Sequence, residues 1–207
     1  TLGANALARL KTDGHIAGFA RTVHHLDTFT HPDLAAWQER GVVAATELLS
    51  VSALWECSLR ERYGRTAPVV GNGVDPVRFS PVPTAQDASL RARYGLPAGQ
   101  RLVLAVGGVE RRKNTQQLLE AFMALRQEEP DLHLVVAGGA SLLDHAPYRA
   151  GFEARLHAGG VGAPVTIPGP VAEEDMPSFS RQAAVLAYSS TTEGIGLCPL
   201  AALPCAT

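Results

Sequence analysis

The chain has 207 residues, of which 46% are hydrophobic and 18% charged, and a formal net charge of −2. This composition excludes an intrinsically disordered chain, and the charge gives no electrostatic reason to expect nucleic acid as a partner. The apolar runs are no longer than a strand, which excludes a transmembrane helix. The three cysteines lack metal-ligand spacing, so we expect free thiols in a reducing compartment and therefore a cytoplasmic protein.

Strand and helix patterns alternate along the first part of the chain. Strands are predicted over residues 18–25, 47–52 and 67–71, and helices over residues 31–46 and 53–64. Ser52 is well placed to cap the N-terminus of the second helix, and Gly64 is well placed to end it.

Residues 71–84, GNGVDPVRFSPVPT, interrupt this alternation with two glycines and three prolines. The stretch predicts turns, and we place a connector over residues 71–96. It separates a first domain, residues 1–70, from a second domain, residues 97–207.

The alternation resumes beyond these turns. Helices are predicted over residues 85–94, 114–130, 148–160 and 173–183, and strands over residues 101–108, 132–139, 164–169 and 184–190. Such alternation predicts an α/β protein with two Rossmann-like parallel sheets. Because ligands of such sheets bind beyond the carboxyl ends of the strands, the candidate segments are residues 24–25, 107–114, 138–139, 169–171 and 189–197.

The segment from Glu193 to Leu197 reads Glu-Gly-Ile-Gly-Leu and precedes a predicted helix. Its glycines allow backbone N–H groups to approach a ligand closely, and a helix N-terminus favours negative charge. The carboxylate of Glu193 would be repelled by phosphate, so it suits the hydroxyl groups of a sugar. The alternative is that Glu193 only caps the helix.

Two further segments offer polar groups after strands. Arg112 and Lys113 end a basic stretch that could bind a diphosphate, although Arg111 beside them is the cation most easily explained as solvated. His24 follows the first strand and could donate a hydrogen bond to a substrate. The nearby sequence HHLDTFTH fits no common zinc pattern, so we expect no metal there, and packing or surface exposure remains the alternative for His25 and His31.

Taken in order, these segments resemble a known family. TVHH is followed by ELLSVS, GNGVDPVRFSP, LVLAVGGVERRKNTQQLLEAF, LHLVVAGG, VTIPGPVAEEDMP and STTEGIGLCPLAAL. The ordered set resembles the retaining glycosyltransferases of the GT-B fold, specifically glycosyltransferase family 4 (glycosyl transferases group 1). The resemblance implies two Rossmann-like parallel-sheet domains, both incomplete in this chain, with a nucleotide-diphospho-sugar donor bound mainly by the second.

The resemblance also implies roles for particular residues. Glu193 would hold hydroxyls of the donor sugar and His24 would reach the sugar and phosphates, so these two are the catalytic candidates. Arg112 and Lys113 would neutralise the diphosphate, and Val171 lies where family members hold the base. The donor-binding set implied by the resemblance is Arg112, Lys113, Val171, Gly194, Ile195, Gly196 and Leu197. The implied reaction transfers a hexosyl group with retention of configuration and without a metal, to an acceptor that is a sugar, a lipid or a small molecule.

The sequence departs from the family pattern at several places. The second Glu of the family motif E-x7-E falls at Ala201, and Gly108 stands where many relatives carry Arg. We expect the chain to begin partway through the first domain and to stop inside the donor-site helix, and the unusual PLAALPCAT suggests a shifted reading frame or an eroded gene. A truncated, non-catalytic binding remnant is therefore the alternative function. A dinucleotide-dependent oxidoreductase is disfavoured because no GxGxxG follows a strand.

Overall fold

The computed structural model of the chain describes residues 2–139, 146–158 and 164–205. It divides into two units, Thr1–Gly73 with Glu193–Ile195, and Val74–Thr192 with Gly196–Thr207. The division at Gly73 falls within the predicted connector, whose exact bounds, like those of the two domains, stay a prediction. None of the helices in the described ranges has the length and hydrophobicity needed to cross a membrane.

The first unit contains a two-stranded parallel sheet and helices. Its elements are α1 (Leu2–Thr12), β1 (Ala20–Val23), α2 (Pro32–Val43), β2 (Glu47–Ser50) and α3 (Ala53–Tyr63). Ala20 lies opposite Glu47 and Val23 lies opposite Ser50 in the sheet. We predicted the two strands and the helices α2 and α3, whereas α1 was not predicted.

Local capping fixes the ends of the two predicted helices in this unit. The Ser52 side chain accepts a hydrogen bond from the Trp55 backbone N–H, and Gly64 takes the left-handed conformation at the end of α3. Both predicted caps are therefore confirmed. At α2, the His31 side chain accepts a hydrogen bond from the Asp33 backbone N–H, so His31 acts as a helix cap.

The strand predicted over residues 67–71 is wrong. Only an isolated parallel bridge joins Val69 to Ser50. Pro68 has no N–H to donate to a strand ladder, and Gly71 has a φ of 64° that breaks the extended conformation. The segment therefore runs beside β2 for a single bridge only.

The second unit contains a four-stranded sheet with the order β5-β4-β3-β6, and all of its strand pairs are parallel. Its elements are α4 (Ala85–Arg93), β3 (Arg101–Val106), α5 (Thr115–Glu128), β4 (Leu132–Ala137), α6 (Ala146–Ala158), β5 (Val165–Gly169), α7 (Met176–Gln182), β6 (Ala183–Leu186) and α8 (Leu197–Ala202), with 3-10 turns at Glu173–Asp175 and Leu203–Cys205. The predicted alternation is confirmed here, although β6 ends four residues earlier than the predicted end at residue 190.

The core of the second unit lies on both faces of this sheet. Leu134 of β4 packs with Phe152 of α6 in one cluster, whereas the adjacent Val135 packs with Leu104 and Phe179 in the other. Successive side chains of a strand point to opposite faces, so β4 is buried along its whole length. A central strand buried on both faces fixes the position of the loops at its carboxyl end.

Two carboxylates, the partly buried Asp87 and the buried Asp175, tie α4 to the segment around α7. Arg181 donates two hydrogen bonds to Asp87, of 2.9 and 2.8 Å, and these hold the pKa of Asp87 well below its usual range. Burial by itself would raise the pKa of Asp175, but hydrogen bonds from Tyr94 and Arg93 outweigh it and lower that pKa. Each of these carboxylates is therefore charged and paired in the folded protein.

We expect Asp87→Ala to lower the free energy of unfolding by about 3 kcal/mol, because it leaves the buried Arg181 guanidinium without its carboxylate. Urea denaturation of the purified chain measures this change. Arg101→Ala is the matched control, since Arg101 pairs with two half-exposed carboxylates, and the free energy of unfolding should fall by much less than in Asp87→Ala. Equal losses in the two variants would contradict the structural importance of the Asp87 pair.

Candidate functional site

Glycine turns follow three adjacent strands of the four-stranded sheet. Gly108 and Gly138, in the turns after β3 and β4, have φ values of 74° and 139°. A Cβ on Gly108 would lie 2.5 Å from the Gly139 carbonyl oxygen, and a Cβ on Gly138 would lie 2.6 Å from the Gly108 nitrogen. The Gly138 N–H in turn donates to the Gly169 carbonyl, which ends β5. Backbone therefore touches backbone at this edge, and neither Gly108 nor Gly138 has room for a side chain of its own.

Gly107, the first glycine after β3, leaves space for the side chain of Lys113. A Cβ on Gly107 would lie 2.3 Å from the Lys113 side-chain Cε, so the lysine side chain lies directly against the turn after β3. Its ammonium nitrogen is 5.7 Å from the centre of the Tyr188 ring, within the range of a cation–π interaction. Asn114 takes a left-handed conformation and leads into α5. The structure thus places the Lys113 ammonium at the carboxyl edge of β3, as the sequence predicted.

The loop after β6 is bonded to the same basic segment. The Ser189 hydroxyl donates to the Lys113 carbonyl at 2.7 Å, and the Thr191 N–H donates to the Arg112 carbonyl at 2.9 Å. The Arg112 guanidinium lies 3.5 Å from the Thr192 carbonyl oxygen. Arg112 and Lys113 are therefore held against the loop that leads to Glu193.

Arg111, the residue before Arg112, has a different environment from Arg112 and Lys113. The Arg111 guanidinium lies 5.7 Å from the centre of the Tyr148 ring, and Arg111 is exposed. Arg111 therefore contacts an aromatic ring of α6, unlike Arg112 and Lys113, which are bonded to the loop after β6.

Residues Glu193–Ile195 belong to the first unit. A Cβ on Gly194 would lie 2.6 Å from the His24 carbonyl oxygen and 3.0 Å from the Trp55 indole nitrogen, so no larger residue fits there without a shift. Ile195 packs against the hydrophobic core of this unit. The structure therefore brings together the backbone of His24 and the segment that contains Glu193, while His24 itself is exposed.

The other histidines of the HHLDTFTH segment have structural surroundings. His25 lies 3.0 Å from the Asp27 carboxylate and packs edge-on against the Trp55 ring, with a centroid distance of 5.2 Å. His31 caps α2. Within the described ranges, no three His, Cys, Asp or Glu side chains form a group that could hold a metal ion.

The remaining predicted residues lie around β5 and α8. Val171 follows β5 and packs against the core cluster that contains Phe179. Gly196 has a φ of 72°, and α8 begins directly after it at the exposed Leu197. Ala201 lies in α8. Val171 thus follows β5, and Gly196 and Leu197 lie at the start of α8, as the sequence predicted; the roles of these residues in binding stay predictions.

The sequence reasoning missed two contributors to this arrangement. The serine and threonine hydroxyls of the loop after β6 fix the basic segment, and the available signal was the run of hydroxyl residues SSTT at 189–192. The sequence pattern indicates Trp55 only as part of a helix, although its indole nitrogen lies beside Gly194. No local pattern indicated that contact, because the two residues are far apart in the sequence.

A scan against protein families matches residues 86–207 to the family described as Glycosyl transferases group 1. The chain is 36% identical over 177 residues to the D-inositol 3-phosphate glycosyltransferase of Xylanimonas cellulosilytica, an alignment that covers 82% of this chain and 41% of that protein. It is 34% identical over 206 residues to a GDP-mannose-dependent alpha-(1-6)-phosphatidylinositol monomannoside mannosyltransferase of Mycobacterium tuberculosis, covering 94% of this chain and 50% of that protein. The chain thus spans half or less of the length of these relatives.

Among solved structures, the chain is similar to Anabaena Alr3699/HepE in complex with UDP-glucose. The TM-score is 0.80 at 19% sequence identity, and the alignment covers 98% of this chain and 56% of that one. This likeness, together with the parallel sheets described above, confirms the predicted fold class.

Gly138→Ala should lower the free energy of unfolding by at least about 2 kcal/mol, because the new Cβ would meet the Gly108 backbone and the φ of 139° strains any L side chain. Thermal denaturation followed by circular dichroism measures the change. The control is Gly73→Ala, where nothing lies within 4 Å of the added Cβ and stability should stay within about 0.5 kcal/mol. A Gly138 variant as stable as the Gly73 variant would refute the tight backbone contact.

Proposed function

Since the chain belongs to the glycosyl transferases group 1 family, we propose that it acts in the transfer of a hexosyl group from a nucleotide-diphospho-sugar to an acceptor, with retention of configuration. The observation that carries this proposal is the position of Arg112 and Lys113. The main chain of both residues is fixed by hydrogen bonds at the carboxyl edge of a parallel sheet, which is where ligands of such sheets bind.

The arrangement in the second unit suits a diphosphate. The guanidinium of Arg112 can bind phosphate oxygens in a bidentate manner, and the Lys113 ammonium adds a point charge. Both cations follow β3 at the carboxyl edge of the sheet, where a diphosphate could bind. Cations that are fixed before the reaction can stabilise the charge that develops on the leaving nucleoside diphosphate.

The segment from Glu193 to Leu197 supplies the other proposed contacts. The Glu193 carboxylate would accept hydrogen bonds from hydroxyls of the donor sugar, and the backbone of Gly194, Ile195, Gly196 and Leu197 would hold sugar and phosphate. His24, whose carbonyl lies beside Gly194, would contact the donor sugar. Val171 would contribute to the site of the nucleotide base.

We propose that the reaction needs no metal ion. The positive charge that a metal would supply to a diphosphate is available from Arg112 and Lys113, and removing one such preorganised group typically costs a hundredfold or more in rate, on the order of 3 kcal/mol.

The names of similar proteins indicate the donors to test first. Alr3699/HepE was solved with UDP-glucose, and the mycobacterial relative is named as GDP-mannose-dependent.

The second candidate function is binding of a nucleotide or sugar without turnover. Ala201 is the observation that favours it, since this residue of α8 stands where the family motif has its second glutamate. A methyl group cannot accept hydrogen bonds from ribose hydroxyls, so binding of the donor would be weakened at that position.

Lys113→Ala should weaken the binding of UDP or GDP to the chain by about 10-fold or more, because a hydrogen bond to a charged group contributes about 1.5–3 kcal/mol. Isothermal titration calorimetry measures the dissociation constant. Arg111→Ala is the matched control, since it removes one positive charge from the same segment at a position that contacts Tyr148 instead. Equal effects of the two substitutions would show that nucleotide binding depends only on the overall charge of the segment.

The same measurement with NAD tests the oxidoreductase alternative. Stronger binding of NAD than of UDP or GDP would favour an oxidoreductase.

Transfer itself is tested by incubating the chain with UDP-glucose or GDP-mannose together with a panel of acceptors (sugars, lipids and small molecules that carry hydroxyl groups). The released nucleoside diphosphate measures turnover, and NMR gives the anomeric configuration of the new glycosidic bond to the acceptor. We expect retention, and we expect Glu193→Gln to reduce turnover by about 100-fold or more, whereas Glu174→Gln, at an exposed position, should not. Binding without turnover would support the second candidate function. An inverted product would contradict the retaining mechanism.

A further inference from the structure

The loop between β1 and α2 carries His24 and forms neither a strand nor a helix. At Asp27, one side chain of α2 binds both backbone groups of the loop. The Gln38 amide oxygen accepts a hydrogen bond from the Asp27 N–H, and the Gln38 amide nitrogen donates to the Asp27 carbonyl, each at 2.9 Å. Two opposite residues of an antiparallel ladder exchange the same pair of bonds. Gln38 thus gives the loop the partner that a neighbouring strand would supply.

Gln38 is itself held in one orientation. It is 4% exposed, and its backbone carbonyl accepts a 3.1 Å hydrogen bond from the Arg21 guanidinium of β1. A half-turn of the side-chain amide would set its NH2 group against the Asp27 N–H and its oxygen against the Asp27 carbonyl, and neither contact is a hydrogen bond. The Gln38 side chain therefore links α2 to the loop in a single geometry.

These two bonds fix the loop close to His24. Val23, the residue before His24, pairs with Ser50 in the two-stranded sheet, and Asp27 lies on the other side of His24. Leu26 packs in the hydrophobic core, but apolar packing has no directional preference. Hydrogen bonds on both sides of His24 therefore set the path of the main chain there.

We propose that Gln38 is a positioning residue for His24. Its two bonds to Asp27 hold the loop in the path that exposes the His24 side chain and places the His24 carbonyl beside Gly194. Because Gln38 is buried, it acts through the loop and not by contact with a substrate. This inference rests on the proposed function, in which His24 contacts the donor sugar.

The test compares Gln38→Leu with Val42→Ala in the full chain. Leucine is similar in size to glutamine but has no polar side-chain atoms, so it removes both bonds to Asp27. Val42 is a buried core residue of the same helix, and Val42→Ala weakens the packing of α2 while it leaves the Gln38 amide in place. Thermal denaturation should show a lower melting temperature for both variants.

NMR of the imidazole groups reports the position of the loop independently of any activity. His25 packs edge-on against Trp55 with a centroid distance of 5.2 Å, so the ring current of the indole shifts the His25 resonances away from those of an exposed histidine. We expect Gln38→Leu to lose this shift and Val42→Ala to keep it. A Gln38→Leu variant that keeps the shift would overturn the proposal.

Turnover with UDP-glucose or GDP-mannose and the acceptor panel, at a temperature below both melting transitions, tests the consequence for transfer. Gln38→Leu should reduce turnover by about 10- to 100-fold, because a small misplacement of a contacting group is costly. Binding of UDP or GDP should be unchanged, since Arg112 and Lys113 belong to the second unit. Val42→Ala should keep its turnover, and equal turnover in the two variants would show that Gln38 has only a structural role.

Gln38→Glu is the second variant, and it decides the matter if Gln38→Leu does not fold. Its ionised carboxylate can accept from the Asp27 N–H but cannot donate to the Asp27 carbonyl, so it should lose less of the ring-current shift and of the turnover than Gln38→Leu. No loss in either measurement contradicts the proposal. An unmodified chain that transfers no sugar contradicts the proposed function instead, and the NMR comparison still decides whether Gln38 fixes the loop.

Discussion

The tight backbone contact among the turns after β3, β4 and β5 is the constraint on which the site depends. With Gly108 against the Gly139 carbonyl and Gly138 against the Gly108 nitrogen, the three turns form one surface built from main chain. The sheet fixes the position of that surface, because β4 is buried along its whole length. The basic segment follows directly from it, and Lys113 lies against the space that Gly107 leaves open.

The main chain that carries Arg112 and Lys113 is held in place by hydrogen bonds. The backbone carbonyls of Arg112 and Lys113 accept hydrogen bonds from Thr191 and Ser189, so the loop after β6 and the start of α5 are fixed to each other. Preorganisation of this kind matters for a reaction in which charge develops on a leaving group, since groups already in place need no rearrangement as the charge appears.

How far the sequence predicts this arrangement depends on the range of each interaction. The caps at Ser52 and Gly64 and the alternation of strands and helices in the second unit follow from local patterns, and the structure confirms them. The strand predicted over residues 67–71 is wrong, because whether a short segment continues a sheet depends on pairing as well as on its own composition. The position of Arg112 and Lys113 between β3 and α5 could be predicted from the sequence, and their role in binding stays a prediction. The contact of Gly194 with His24 and Trp55 could not, since no local spacing encodes contact between distant segments.

The glycine turns also change how tolerance to substitution should be interpreted. Gly108 and Gly138 combine positive φ with backbone contact, whereas Gly169 has positive φ but open space around its missing Cβ, and Gly194 has contact without positive φ. A D-configured residue could follow the backbone at Gly169, whereas an L side chain at Gly108 would meet both backbone strain and the Gly139 carbonyl. Invariance of these glycines among homologous sequences would therefore report on main-chain geometry, and it would not by itself identify catalytic residues.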